Sequence, residues 1–315
     1  MPAKSIINKM ITYCEKTKKR LRNFVPVTSS AFYVSEMAMR SILLELAATP
    51  KPGLVDRINN GSHSDMSYET FILSTSAIIP YFSYMAQAGI EYGTSSAPLC
   101  NLLPVIRTIG LAAENHMFSV TGGINTQKGI IFLIGLTCGA CGYLLSAKEK
   151  ITPGNLSAVI SEISKDIIQS ELSDLESKRN LTSGEKIFLQ YKMSGVRGEA
   201  QEGFPSVINY GLPALKSALD SGLDLNNASL HALCNIMAHL DDTALLHRHN
   251  LATLRTVQCE MDELYQQGGL TTDEGREKWK RLEQRYNKKK INPGGSADLM
   301  AVTLMFYSLT GIRGD

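Results

Sequence analysis

Apolar side chains recur along this chain at intervals of three and four residues. Met39, Ile42, Leu43 and Leu46 stand at i, i+3, i+4 and i+7, and Leu102, Val105, Ile106 and Ile109 repeat the spacing. Leu230, Leu233, Cys234 and Met237 do so again, while Leu156, Val159, Ile160, Ile163 and Ile167 carry it over a longer run. Each set falls on one face of an α-helix, because a turn takes 3.6 residues. Alternation of apolar and polar positions, the mark of a half-buried strand, is hard to find, and Pro, Gly, Asn and Ser fill the breaks where helices should stop. The pattern predicts an all-α fold, a single multi-helix domain of about a dozen helices over residues 35–315 behind an N-terminal arm over 1–34. It shows no linker and no internal repeat.

Two runs depart from the ordinary amphipathic pattern. Residues 129–147 read GIIFLIGLTCGACGYLLSA, without a charge and long enough to cross a bilayer, with Gly135, Gly139 and Gly142 suited to close helix packing. No other segment approaches that length, so the run is expected to be the buried, Gly-rich central helix of the domain and not a membrane span. Residues 250–290 are the opposite, rich in charge, with Thr271 and Glu274 at capping-box spacing; they predict a solvated helical hairpin.

Composition narrows the class of protein without choosing a function. With 315 residues, 43% hydrophobic and 20% charged, the chain can bury a substantial core and is not disordered. Its 32 Lys+Arg against 30 Asp+Glu leave a net charge of +2, so no general attraction to nucleic acid or to a membrane surface is expected. Lys4, Lys9, Lys16, Lys18, Lys19, Arg20 and Arg22 make the arm basic, but no apolar run follows them to form a signal peptide. Six scattered cysteines suit a reducing, cytoplasmic setting, and Cys138 and Cys141 lack the second pair that a zinc site needs.

The chemistry is concentrated in five polar stretches: KPGLVDRINNGSHSDM (51–66), TGGINTQKG (121–129), GVRGEAQEGFP (195–205), HLDDTALLHR (239–248) and NPGGSADL (292–299). The first has no apolar stripe and is expected to add little to a core. Any one of them alone reads as a turn or a helix cap, since caps and sites use the same residue types. Together they say more. Gly122, Gly123 and Asn125 precede the apolar helix, where free N–H groups and the positive dipole end can face an anion, with Lys128 one turn in. Gly294, Gly295 and Ser296 form a second helix start of that kind, with Asp298 beside it. Asp241 and Asp242, with Asp56 and Asp65, supply the hard oxygens that Mg²⁺ takes when it also holds phosphate. Triphosphate with Mg²⁺ is the ligand these parts would fit. Arg107 and Glu114, on a common helix face, are expected to orient one another or a substrate.

In order and spacing, these five stretches resemble the triphosphoribosyl-dephospho-CoA synthase family, whose members serve citrate lyase or malonate decarboxylase. The resemblance spans roughly residues 35–310. It implies an all-helical transferase that joins ATP to 3′-dephospho-CoA with loss of adenine. The product would be the 2′-(5″-triphosphoribosyl) derivative, the prosthetic-group precursor for the acyl carrier subunit of the lyase. Gln127, Ala244, His249 and Asn250 stand where the family's pattern usually has His, Asn, Gly and Gly. The bond to be made requires a ribose hydroxyl to attack C1′ through an oxocarbenium-like state as adenine leaves, in one inverting displacement. On that resemblance Lys128, Arg197, Arg57 and Arg248 hold phosphates and Asp241 and Asp242 hold Mg²⁺. His63, Asp65, Asp56 or Glu199 transfer protons, and Asn59 and Asn125 orient ribose hydroxyls. Two other classes use similar parts: a Mg²⁺-dependent hydrolase of nucleotide or ADP-ribosyl N-glycosidic bonds, with water as acceptor, and a non-catalytic nucleotide-binding assembly factor.

Overall fold

Helix α1 (Ser29–Ala47) comes first in the computed structural model, which describes residues 27–175 and 178–311. The arm expected over 1–34 therefore lies outside the described residues up to position 26. Its expected end falls inside α1, where Ala31 and Val34 are fully buried. After α1 come α2 (Tyr68–Gly93), α3 (Leu102–Thr121), α4 (Lys128–Ala147), α5 (Pro153–Ile163), α6 (Ile167–Leu172), α7 (Ser183–Tyr191) and α8 (Val196–Gln201). A π-turn at Val207–Gly211 leads into α9 (Leu212–Asp220), followed by α10 (Leu225–His239), α11 (Thr243–Arg248), α12 (Leu251–Gln266), α13 (Asp273–Lys289) and α14 (Gly294–Thr310). No strand occurs among the described residues.

The run without charge is α4, buried along most of its length against α1, α2, α3 and α14. Among the described residues it is the one helix long and apolar enough to cross a membrane, and 72% of that window is buried inside the protein. Its glycines explain how closely it packs. A Cβ on Gly142 would lie 2.1 Å from the carbonyl oxygen of Ala86, and one on Gly89 would lie 2.0 Å from that of Gly139, so α2 and α4 touch backbone to backbone. The apolar repeat locates the helices better than their faces. All four marker residues of α10 are buried, but Met39 on α1 and Val105 on α3 are exposed. The buried face of α1 runs instead through Ala31, Ser35, Ala38 and Ser41 to Ile42, Glu45 and Leu46. The pattern that ran through Ile167 is broken after Ile163, where α5 ends, although Ile167 is itself buried as the first residue of α6.

Residues 250–290 form the hairpin α12–α13, capped at α13 by Thr272, whose Oγ1 accepts from Gly275 N at 3.0 Å; the capping-box spacing was one residue off. The hairpin is only half solvated, since Trp279, Leu282 and Tyr286 are buried. Trp279 Nε1 donates to Pro50 O at 2.7 Å, and Asn287 Oδ1 accepts from Gly53 N at 3.0 Å, which clamps the hairpin to the loop over 51–66. That loop was expected to stay out of the core, yet Lys51 through Asp56 are all buried and Leu54, Val55 and Met66 pack in it. Periodicity is blind to such a segment, because its apolar residues follow no helical repeat and its backbone is held by groups of α13 far along the chain.

Candidate active site

The loop, the N-terminal turns of α4 and α14, and faces of α3, α8 and α11 enclose one open cavity of about 800 Å³. All five polar stretches meet there. Of the residues expected from the sequence, His63, Asp65, Asn125, Lys128, Arg197, Arg248, Gly294 and Gly295 line it, and so do Arg107, Glu114 and Asp298. Asn125 Oδ1 accepts from Lys128 N at 3.2 Å and so starts α4, while Lys128 Nζ pairs with Glu114 Oε2 at 2.9 Å. Arg197 Nε pairs with Glu171 Oε2 at 2.7 Å, and the other oxygen of that carboxylate binds Arg107 Nη2 at 2.5 Å. Arg107 and Glu114 thus do not orient each other, because each has a nearer partner on another element. Arg107 lies over the Phe132 ring, and its Nε is buried with no hydrogen-bond partner. An orphaned cationic donor beside three further cations, Lys128, Arg197 and Arg248, marks a place for anionic oxygens.

His63 Nε2 lies 2.5 Å from Asn292 Nδ2, and its Nδ1 lies 3.3 Å from Asp65 Oδ1. The amide can only donate, so Nε2 accepts and Nδ1 carries the proton toward Asp65. Burial first, and then the nearby charge of Arg248, lower the pKa of His63, which leaves the imidazole neutral. Asp65 is 56% exposed and open to a ligand.

The other expected residues hold the walls. Asp56 is buried, with Oδ2 accepting from Lys51 N at 2.9 Å and Oδ1 from Ile58 N and Asn59 N at 2.9 and 3.0 Å, so it ties its own loop together. Asn59 bonds Glu283, Asn287 and Gly61 N, and Arg57 Nε donates to Thr49 Oγ1. Glu199 is occupied by Ser206 Oγ at 2.5 Å and Ser206 N at 3.2 Å, and burial raises its pKa. Gly122 and Gly123, at φ +71° and +92°, terminate α3 instead of cradling an anion. Asp242 caps α11 through Ala244 N and Leu245 N, and also accepts from Gly295 N, Ser296 N and Ser296 Oγ at 2.8–3.2 Å. Five donors saturate its lone pairs, so Asp242 with Ser296 is a clasp between α11 and α14 and does not fit a magnesium ligand. Asp241 points elsewhere, to Arg255 Nη1 at 2.8 Å, and does not line the cavity. No group of three or more possible metal ligands occurs among the described residues.

The positions that depart from the resembled pattern have local work. Gln127 is buried and bonds Ser74 and Thr75 of α2; His249 Nε2 lies 2.9 Å from Lys290 O; Asn250 caps α12 through Thr253 N at 2.9 Å. Ala244 lines the cavity. Sequence reasoning passed over Glu45 and Lys51, which are buried together with Nζ to Oε1 at 2.5 Å and also line the cavity. The signal was present: Glu45 sits one residue before Leu46, three after Ile42, an acid on an apolar face. Asn292 was quoted only as part of its stretch, without the His63 contact that gives it a role.

The family described as ATP:dephospho-CoA triphosphoribosyl transferase (CitG) matches residues 31–314. A protein of Malonomonas rubra named probable 2-(5″-triphosphoribosyl)-3′-dephosphocoenzyme-A synthase is 39% identical over 279 residues, covering 88% of this chain and 87% of its own length. The synthase of that name from Pectobacterium atrosepticum is 37% identical over 274 residues, covering 87% and 88%. The one from Klebsiella pneumoniae is 38% identical over 284 residues, covering 90% and 92%. No solved structure matches the chain. A match that begins three residues into α1 and runs past the end of α14, taking in every wall of the cavity, leaves one conclusion: this chain belongs to the ATP:dephospho-CoA triphosphoribosyl transferase family.

Proposed function

We propose that this chain joins ATP to 3′-dephospho-CoA with release of adenine, forming 2′-(5″-triphosphoribosyl)-3′-dephospho-CoA. The observation that carries the reading is the mixed lining of the cavity, cations together with an apolar patch. Arg107, Lys128, Arg197 and Arg248 supply cations on the side of α3, α4, α8 and α11, and the orphaned Arg107 Nε adds an unused donor. Leu46, Val55, Met66 and Phe71 form an apolar wall beside His63 and Asp65. Phosphates suit the cations and a nucleobase the apolar residues. The acceptor hydroxyl gives its proton to Asp65, which the neutral His63, itself fixed by Asn292, holds in place. Groups fixed in this way contribute mainly in the transition state.

Magnesium belongs to this reading as part of the MgATP substrate, and Asp241 and Asp242 are not assigned to it. The product would load the acyl carrier subunit of a lyase or decarboxylase through a separate transferase. A cytoplasmic setting agrees with the described cysteines, all of them free thiols. One assay tests the whole proposal: adenine release from MgATP with and without 3′-dephospho-CoA, and mass analysis of the product. Acceptor-dependent adenine with the mass of the joined product is expected. Free ribose triphosphate, formed without acceptor, would make the protein a hydrolase, and binding of ATP without adenine release would make it an assembly factor.

A further inference from the structure

Asp298 stands in the second turn of α14 and faces the cavity across the first turn of α4. A Cβ on Gly129 would lie 1.9 Å from Asp298 Oδ2, so the carboxyl rests directly against the backbone at the start of α4 and a larger residue there would displace it. The neighbouring carboxylates are engaged: Glu45 holds Lys51, and Asp242 accepts its five donors. Asp298 has no hydrogen bond or ion pair to a protein group among the described residues. It is a carboxyl with open valences in a cavity that Leu46, Val55 and Met66 also line.

We propose that Asp298 is the catalytic acid that hands a proton to the leaving nucleobase. The inference rests on the triphosphoribosyl-transfer reading and adds its second proton-transfer group. Burial, then the negative charges of Glu45 on α1 and Asp242 before α11, hold the carboxyl protonated well above the usual carboxylate range. The cations nearby are engaged elsewhere, Lys51 with Glu45 and Lys128 of α4 with Glu114. Two carboxyls in one cavity, Asp65 exposed and Asp298 half-buried, are thereby suited to opposite halves of one proton exchange. The acceptor's 2′-oxygen bonds to C1′, and the C1′–N bond breaks with its electron pair leaving on adenine. The hydroxyl proton passes to Asp65, and the Asp298 proton passes to a ring nitrogen of the departing base. Exchange with solvent restores both carboxyls.

The test compares Asp298→Asn with the unaltered enzyme on two donors, ATP and N7-methyl-ATP, whose charged base leaves without being protonated. Asp298→Asn should lower adenine release from ATP by about 10²–10⁴-fold, the range for a positioned acid, and remain within about tenfold of the unaltered enzyme on N7-methyl-ATP. Near-normal turnover on ATP, or an equal loss on both donors, would overturn the assignment. Failure of the unaltered enzyme to form any joined product would instead overturn the underlying reading. Should Asp298→Asn not fold, Glu45→Gln takes its place. By removing one negative charge facing Asp298 it should move the alkaline limb of the kcat profile to lower pH, and an unmoved limb would also sink the proposal.

Discussion

Asp242 shows how a single side chain can be indispensable without doing chemistry. Its carboxylate satisfies donors at the N-terminal ends of two helices, so Asp242→Ala would strand buried N–H groups at both. Lost capping and unmet buried donors at about 1–3 kcal/mol each predict a destabilisation of at least about 2 kcal/mol, read by denaturant unfolding. His63 and Asp65 should behave in the opposite way. His63→Ala and Asp65→Asn are expected to lower adenine release at least about tenfold with a small change in KM for ATP, because their effect belongs to the transition state. The pH dependence has a definite sign. Since the pKa of His63 is lowered in the folded protein, the unfolded chain takes up its proton first. The stability owed to neutral His63 is whole above its ordinary value of 6.5 and is lost as pH falls below it. Unfolding of His63→Gln should therefore depend less steeply on pH as it falls below 6.5. At this scale sequence was a partial guide. Asp, Asn and Gly in a loop are read equally well as cap or catalyst, and Asp56, Asn59, Glu199 and Asp242 proved to be fasteners while Asp65 faced the cavity.

Helices α2 and α4 form the element on which the site rests. Their contact is carbonyl against Cα, so Gly142→Ala must push a methyl group into Ala86 O or separate the helices. Overpacking of that kind costs about 1–3 kcal/mol, and thermal unfolding of the variant should show it. Because α4 carries Lys128 and Gly129 at its first turn, the same substitution should also reduce activity, though its site lies almost four turns away. Lys128→Ala is the control on the element's other end: ATP binding should weaken and stability should hold, since the pair it makes with Glu114 is half exposed. That an apolar run without charge becomes a buried central helix was legible from its composition. That its approach to α2 is the tightest packing around it was only hinted by the glycine spacing, because the same spacing suits a bilayer.

For the molecule as a whole, Asp298 sets activity against stability. Its folded pKa is raised, so the unfolded chain releases that proton at lower pH, and above about 4 the folded state is penalised for holding it. Asp298→Asn does not titrate and should raise Tm at neutral pH while lowering turnover of ATP by about 10²–10⁴-fold, a trade that active sites commonly show. A merely structural aspartate would lose stability on substitution. Local spacing was enough for the all-helical class, the buried helix, the five polar stretches and the family they spell, because helix periodicity and cap chemistry depend on neighbours a few residues apart. It left Glu45 and Lys51 unnoticed and could not rank Asp298 among the carboxylates. Tertiary packing sets which of those polar groups face one another: α1, the loop, α4 and α14 bring positions 45, 51, 65, 129 and 298 to a single cavity, and Asp242, before α11, lies close enough for its charge to act on Asp298. Whether a carboxyl there is a cap, a base or an acid follows from how deeply it is buried and which charges face it, and both are fixed by residues distant in the chain.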